Sequence, residues 1–238
     1  MLKRAVIAIA ALAGIAATTN LGFWQWGRGQ QRTALHEAIA TRGAMAPVGA
    51  RELLAAPDGT KGLMHRSVLL RGEWVTDRMV FLDNRQMNAL PGFYVLTPLR
   101  LEGSQAVVLV QRGWVQRDFE RRERLPAVQT PTGTVEVRGL LAPGPAKLYA
   151  FSTEEKGTIR QNLDLAAFRA ETGLPLLGVS VQQTGAASEG LLRQWPQAGS
   201  GAEKNYGYAF QWWAMAATLA ILYVWFQFIQ PRRQARRP

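Results

Sequence analysis

Two long uncharged apolar runs, one near each end of the chain, restrict its fold more than any other feature. The C-terminal run covers residues 206–230 and holds 25 residues without a formal charge. As an α-helix it reaches about 37 Å at ~1.5 Å per residue, and a hydrocarbon core is ~30 Å thick. The N-terminal run covers residues 5–27, directly after Lys3 and Arg4. We therefore predict a transmembrane helix at each end, with helical character continuing through residues 28–43.

The N-terminal run also has features of a secretory signal peptide, which begins with a short basic segment followed by an apolar stretch. Ala16, Ala17 and Thr18 are small enough for a cleavage site. The apolar character nevertheless continues through Trp24 and Trp26, and tryptophan is enriched at membrane interfaces. We therefore favour an uncleaved anchor.

Positive charges beside the two runs predict the topology. Lys3 and Arg4 precede the first run, and four arginines lie among the last seven residues. Such flanks stay in the cytoplasm, so both termini are predicted to be cytoplasmic, although Arg28 and Arg32 argue weakly against this. A bacterial plasma membrane is the expected location. The predicted segments are a transmembrane helix over 5–27, an extracytoplasmic domain over 28–205, a transmembrane helix over 206–230 and a basic cytoplasmic tail over 231–238.

Between the two runs the pattern changes to short strands. Six stretches rich in Val, Leu and aromatic residues are separated mostly by Gly, Pro, Asn or Asp, which is typical of an antiparallel sheet or a small barrel. Asp164 is placed to cap a short helix that ends at Gly173. The predicted fold class is a membrane α+β protein, with two terminal helices flanking a mainly antiparallel β domain with short helices. The predicted strands cover 66–76, 79–86, 92–101, 105–115, 134–142 and 178–183.

Charge and cysteine content narrow the function classes. The net charge is +11, but six of the 28 Lys and Arg residues lie in the two tails, and the others are interspersed with 17 acidic residues. Without a contiguous basic stripe, nucleic acid is not an expected partner, whereas membrane lipid is. The chain has no cysteine and two histidines, His36 and His65, so no metal centre is expected. No nucleophile or carboxylate pair marks a catalytic site.

The stretch that contains Arg112 and Trp114 has two interpretations. In strand alternation these two residues lie on the same apolar face. Because an unpaired buried charge is costly, Arg112 forms an internal pair, with Asp83 or Glu73, or it joins Trp114 in a patch that docks on another protein. Gly113 indicates either a bulge or a close approach of another backbone.

One face of the second apolar run combines aromatic and polar residues. Tyr208, Gln211 and Trp212 lie on it at helical spacing, and Met215, Leu219 and Leu222 continue it. The aromatic residues suit a membrane interface, while the amide of Gln211 favours a hydrogen-bond partner over lipid. Small residues four positions apart allow close packing of helices. Two compatible interpretations follow: the two helices pack against each other, or one of them also packs against another membrane protein. The small residues are Ala216 and Ala220 in the second run and Ala10, Gly14 and Thr18 in the first.

Five segments occur in an order that resembles the surfeit-locus protein 1 family of cytochrome c oxidase assembly factors. They are Trp24-Gln25-x-x-Arg28, PGFYVLTPL, VLVQRGWV, NLDLAAFRAETGLP and KNYGYAFQWWAMA. The resemblance covers nearly the whole chain. It implies that the protein is not an enzyme but an assembly factor for haem–copper cytochrome c oxidase. In that role it would assist haem a insertion into subunit I, or stabilise that subunit, together with other assembly factors.

A haem-binding alternative follows from the same resemblance. Some bacterial relatives are thought to bind haem a through a histidine three residues before a Tyr-Ala pair, here Tyr208-Ala209. Asn205 occupies that position, and an amide is a poor ligand for iron. A chaperone that holds haem a directly is therefore the second hypothesis, with haem a expected only transiently. The third is a membrane-anchored extracytoplasmic enzyme.

The predicted partner-binding residues are Trp24, Gln25, Arg28, Arg112, Trp114, Tyr208, Gln211 and Trp212.

Overall fold

A computed structural model has a long helix at each end of the chain and a β-sheet between them. It describes residues 2–56, 60–118, 120–121, 124–148, 156–196 and 201–234. The chain divides into two units, one formed by residues 1–37 and 197–238 and the other by residues 38–196.

Both apolar runs form long helices, as predicted. The stretches Leu2–Gly43 and Ala202–Arg233 are each long and apolar enough to cross a membrane. The first helix continues without interruption past residue 27, as its helical pattern predicted, and the second passes through one π-helical turn at Trp225–Ile229. In chain order the α-helices are α1 Leu2–Gly43, α2 Ala50–Ala55, α3 Thr60–Leu63, α4 Leu165–Thr172, α5 Ala202–Val224 and α6 Gln230–Gln234.

The second unit is built on a seven-stranded sheet. Its strands are β1 Ser67–Trp74, β2 Val80–Met87, β3 Leu90–Leu101, β4 Val107–Gln116, β5 Thr134–Ala142, β6 Ile159–Arg160 and β7 Leu176–Gln183. The order across the sheet is β1-β5-β7-β4-β3-β2-β6, and β1 also pairs with β3. That extra pairing closes β1, β5, β7, β4 and β3 into a ring, from which β2 and β6 extend. The pairs β4–β7 and β2–β6 are parallel, and the others are antiparallel.

The strand predictions are largely confirmed. All six predicted stretches form strands, and among the strands that the structure describes only the two-residue β6 was not predicted. Helix α4 also begins and ends as predicted. The carboxylate of Asp164 accepts hydrogen bonds from the backbone N–H groups of Ala166 and Ala167, and Gly173 ends the helix with a φ of 67°. A left-handed residue at this position favours glycine.

The described residues of this unit form three buried apolar clusters, and the two larger ones lie on the two faces of the sheet. Every strand of the ring contributes to the first cluster, which occupies the interior of the barrel. The second lies between β2, β3, β4 and α4, where Phe168 covers the outer face of β4. Strand β4 is therefore buried on both faces, with Val108 and Val110 inside and Val107 and Leu109 outside. This explains its continuous apolar sequence, because alternation is lost when both faces are covered.

Candidate functional site

Two of the segments that carry the resemblance meet in the helical unit, where α1 packs against α5. Gly22 lies against Trp213, and Gly29 lies against Tyr206. The contacts move toward the start of α5 as they move toward the end of α1, so the two helices are antiparallel. The two glycines are seven residues apart, as are their aromatic partners, which places both contacts on one seam.

The two glycines are sites of close approach. A Cβ atom added to Gly22 would lie 2.2 Å from Nε1 of Trp213, and one added to Gly29 would lie 2.6 Å from Cε1 of Tyr206. Both distances are shorter than a van der Waals contact, so each aromatic ring occupies the space that a side chain would take. The sequence analysis missed this pair of glycines. The shared seven-residue spacing was the signal that could have found them.

An aromatic cluster continues the same seam. The ring of Trp26 lies 4.8 Å from that of Tyr206 and 5.9 Å from that of Trp213, measured between centroids. Phe23 meets Trp213 edge to face at 5.3 Å. Such pairs contribute about 0.5–1.5 kcal/mol each beyond the area they bury. The cluster fixes the rotation of α1 relative to α5.

Polar contacts lie beside the aromatic cluster. The amide Nδ2 of Asn205 donates a hydrogen bond of 2.7 Å to Oε1 of Gln25. One turn of α1 beyond Gly29, the hydroxyl of Thr33 lies 3.2 Å from the phenol oxygen of Tyr206. Gln25 is one of the predicted partner-binding residues, and its side chain instead accepts a hydrogen bond within the chain.

These polar residues do not fit a haem iron. The amide of Asn205 is engaged with Gln25, and the phenol of Tyr206 is engaged with Thr33. The usual axial ligands of haem are His, Cys, Met and Tyr side chains with an available donor atom. His36, the histidine on α1, lies about 16 Å along the helix axis from Gln25, at ~1.5 Å per residue.

The other predicted residues of the helical unit are exposed. Trp24 is 58% exposed and Arg28 is also exposed, both on the side of α1 away from α5. On α5, Tyr208 and Gln211 are exposed and Trp212 is half-buried. The face that includes these three α5 residues borders α1 further along α5, where Leu219 lies 3.5 Å from a Cβ atom added to Gly14. Partner binding by these residues stays a prediction.

Arg112 lies in the core of the barrel unit. Its side chain is fully buried and forms an ion pair of 2.9 Å with the carboxylate of Glu189. Its guanidinium also donates to Oγ1 of Thr130 at 2.8 Å and to the backbone oxygen of Gln129 at 2.9 Å, and it stacks over the ring of Trp74. The internal-pair interpretation is confirmed, but the predicted partners, Asp83 or Glu73, were wrong. The partner is Glu189 because the loop after β7 returns to this strand.

A second arginine shares the same carboxylate. Arg193 lies 3.5 Å from Glu189, and its side chain is only 4% exposed. Burial lowers the pKa of Arg193, with Glu189 acting in the opposite direction and Arg112 adding to the decrease. Two guanidinium groups around one carboxylate leave an excess positive charge that the surrounding carbonyl oxygens solvate. Arg193 donates to the backbone oxygen of Arg112 at 3.0 Å and to that of Ala186.

Gly113 confirms both features that were expected of it. The register between β3 and β4 shifts there, so that Arg112 is the extra residue of a β-bulge. A Cβ on Gly113 would lie 2.8 Å from both Cβ of Leu191 and the backbone oxygen of Leu192. The bulge interrupts the strand alternation that was predicted to place Arg112 and Trp114 on one face. Trp114 is also buried, and its indole N–H donates to the backbone oxygen of Arg85 at 2.8 Å.

The structure places His65, Asp83 and Arg112 in separate surroundings. His65 adjoins Arg42, and burial together with that charge lowers its pKa. Asp83 pairs with Arg117, whereas Arg112 pairs with Glu189. Within the residues that the structure describes, no three His, Cys, Asp or Glu side chains are grouped to hold a metal ion.

Sequence comparison decides the family. The model of the SURF1 family matches residues 12–217, which include both helix segments that form the seam. The chain belongs to the SURF1 family. The match extends across the barrel unit, so the family relationship covers the pair of helices and the domain between them.

Two SURF1-family relatives illustrate the range of the match. A SURF1-like protein of Drosophila melanogaster is 29% identical over 177 residues, which is 66% of this chain and 56% of the fly protein. The cytochrome oxidase assembly protein SHY1 of Saccharomyces cerevisiae is 28% identical over 98 residues, which is 41% of this chain and 25% of the yeast protein. The chain thus spans little more than half the length of the first relative and a quarter of the second.

Proposed function

We propose that this protein is a non-enzymatic assembly factor for haem–copper cytochrome c oxidase. It binds subunit I in the membrane, with other assembly factors, and stabilises that subunit while haem a is inserted. The observation that carries the proposal is the family match over residues 12–217. The yeast relative is named for cytochrome oxidase assembly, and this supports the same role here.

The proposed location is the bacterial plasma membrane, with both termini in the cytoplasm and the barrel unit on the other side. Two helices with the length and hydropathy of membrane spans support it. Arg232 and Arg233 after the second apolar run, with Lys3 and Arg4 before the first, support the orientation. Reporter fusions at the two termini test it. Reporters active only outside the cytoplasm would overturn this topology.

Deletion of the gene tests the assembly role. We expect lower cytochrome c oxidase activity, less haem a in the membranes and less subunit I, because unassembled subunit I is degraded. A plasmid copy of the intact gene should restore all three quantities. A deletion strain with normal oxidase activity and haem a content, in a cell without a second family member, would refute the proposal.

Affinity capture tests the proposed partner. A tagged chain solubilised from membranes in mild detergent should retain subunit I. The matched control is a variant that carries leucine at both Gln25 and Asn205, which loses the interhelical hydrogen bond of 2.7 Å. If subunit I is absent from the wild-type sample while the oxidase itself is assembled normally, the partner has been misassigned.

Haem a is not held at Asn205 in this proposal. The amide contact between Asn205 and Gln25 supports this, since it leaves no usual iron ligand at that position. The full chain purified from cells that synthesise haem a should therefore lack a haem absorption band. A stoichiometric haem spectrum would favour the chaperone hypothesis instead.

A further inference from the structure

We infer that the side of α1 opposite α5 is a docking surface for a transmembrane helix of another protein. The surface, called here the outer stripe, consists of Ala13, Ala17, Asn20, Trp24 and Arg28. All five side chains are exposed. The inference rests on the membrane insertion proposed above, and it adds the face and the chemistry by which a partner is recognised.

Helical geometry places the outer stripe on one face. Its members follow one another at intervals of four, three, four and four residues, which is the spacing of one side of an α-helix. Gly22 and Gly29, which contact α5, lie on the opposite side of α1. The two sides of α1 therefore have different roles, because one binds α5 and the other is free for a partner.

Asn20 is the residue that requires a partner. It lies about 9 Å deeper than Trp26 along the helix, at ~1.5 Å per residue, and so within the hydrocarbon region. Its Nδ2 donates to the backbone oxygen of Ala16 at 2.8 Å. Its Oδ1 accepts no hydrogen bond from any residue that the structure describes. A carbonyl oxygen facing lipid tails has no donor available, which is unfavourable.

The remaining members define the partner. Ala13 and Ala17 are four residues apart and allow a neighbouring backbone to approach closely. Arg28 lies about 12 Å further along the axis than Asn20, and it forms no ion pair within the described part of the chain. A complementary helix therefore carries a hydrogen-bond donor at the depth of Asn20 and an acidic side chain near Arg28. Trp24, between them, supplies a large contact area.

A second copy of this chain fits less well than a different protein. In a parallel pair of copies the two Asn20 amides would meet, but the two Arg28 side chains would then face each other. Like charges opposed at an interface disfavour association. Lipid alone does not satisfy this surface, because lipid tails offer no hydrogen-bond donor to Oδ1 of Asn20. We therefore assign the outer stripe to a helix of a different membrane protein.

Photocrosslinking in intact membranes tests the inference. The full chain carries Trp24→p-benzoylphenylalanine, which replaces one large aromatic side chain by another. The control carries the same probe at Phe210, which is 72% exposed on α5. We expect an adduct with another integral membrane protein from position 24 and a much weaker one from position 210.

Substitutions at Asn20 link that adduct to the proposed chemistry. Asn20→Leu should reduce the yield about 3- to 10-fold, the range expected for an interhelical hydrogen bond in lipid. Asn20→Gln should restore much of it, because the amide is kept. The control is Thr218→Leu on α5, whose hydroxyl bonds its own helix at Ala214, and it should leave the yield unchanged. Resistance of each variant to carbonate extraction establishes insertion.

Each remaining outcome contradicts the inference. These outcomes are no adduct above the level of position 210, an adduct with a second copy, and a yield that does not respond to Asn20→Leu. The proposed function is judged separately by the deletion strain. Loss of oxidase in the deletion strain without an adduct keeps the function and rejects the outer stripe, whereas normal oxidase in the deletion strain with an Asn20-dependent adduct does the reverse.

Discussion

The side-chain amide of Asn205 donates to the side-chain oxygen of Gln25 at 2.7 Å, and so joins the first turn of α5 to the middle of α1. The bond lies beside the aromatic contacts of Trp26 with Tyr206 and Trp213. A polar contact of this kind specifies which residues of two apolar helices lie opposite each other, because sliding either helix would break it. Apolar contacts alone specify this register less strictly.

A double-mutant cycle on this pair measures its contribution. Gln25→Leu and Asn205→Leu should each lower the stability of the helix pair by about 1 kcal/mol, and the double variant should lose less than the sum. The measurement is unfolding of the full chain in mixed micelles with increasing dodecyl sulfate. Strictly additive losses would mean that the hydrogen bond does not couple the helices.

The glycine seam predicts a strong effect of small substitutions. Gly29→Ala should destabilise the helix pair by about 1–3 kcal/mol, because its Cβ would lie 2.6 Å from the ring of Tyr206. Gly27→Ala is the matched control, since nothing lies within 4 Å of the added atom. Alanine should even stabilise the helix slightly at that position.

The same unfolding assay compares the two glycine variants. Because the chain contains no cysteine, a thiol cross-linker between cysteines introduced in α1 and α5 gives a second reading. Equal behaviour of Gly29→Ala and Gly27→Ala in both assays would contradict the close approach at Tyr206.

Removal of the buried guanidinium of Arg112 should lower the stability of the barrel unit. Arg112→Leu leaves Glu189 without its closest cation and removes the donors to Thr130 and Gln129, so we expect a loss of about 3–5 kcal/mol. The control is Arg138→Leu, whose pair with Glu136 is well exposed and should contribute less than about 1 kcal/mol.

Thermal unfolding of the full chain in detergent measures the two arginine variants. A melting temperature for Arg112→Leu equal to that of Arg138→Leu would show that the buried network contributes no more than a surface pair.

Acid should weaken the barrel unit through two carboxylates. The hydrogen bond from Lys147 and the N–H groups at the start of α4 lower the pKa of Asp164, and the hydrogen bond from Arg160 lowers that of Glu171. A lowered folded-state pKa means that the stabilisation is present above the unfolded-state pKa and is lost as the pH falls through the folded-state value. Stability should therefore decrease below about pH 4.

Urea unfolding at pH 6 and at successively lower pH values measures this loss. Asp164→Asn keeps a side chain that can cap α4 but cannot titrate, so its stability should fall less steeply with acid than that of the wild type. A variant with the same slope as the wild type would assign the acid sensitivity to other groups.

The elements that the sequence predicted are those with strong local patterns. The caps at Asp164 and Gly173 and the change of period after residue 65 each depend on a few neighbouring residues. Strand β6 was missed because it has two residues and pairs with β2 across more than 70 positions. The closure of the barrel by β1 and β3 likewise follows from pairing between distant strands, which no local pattern records.

The residues of the candidate site likewise differ in how well the sequence predicted their contacts. The sequence marked Trp24, Gln25 and Arg28 as one group, and only the helix packing separates Gln25, which bonds to α5, from its two exposed neighbours. The partner of Arg112 was misassigned because Glu189 lies 77 positions away, in a loop whose path the strand pattern does not reveal. Residues that act through distant contacts were the ones that sequence reasoning could not place.

The position of β7 in the sheet affects how the protein can be made. It is the last strand to leave the ribosome, yet it lies between β5 and β4. Until residue 183 has been synthesised, the earlier strands cannot complete their ring and the nascent chain keeps apolar side chains uncovered. At ~5–20 residues per second, the interval between synthesis of β5 and synthesis of residue 183 lasts for seconds, which is long enough for a chaperone to bind. A chain terminated before residue 176 should therefore be degraded rather than accumulate as a partial barrel.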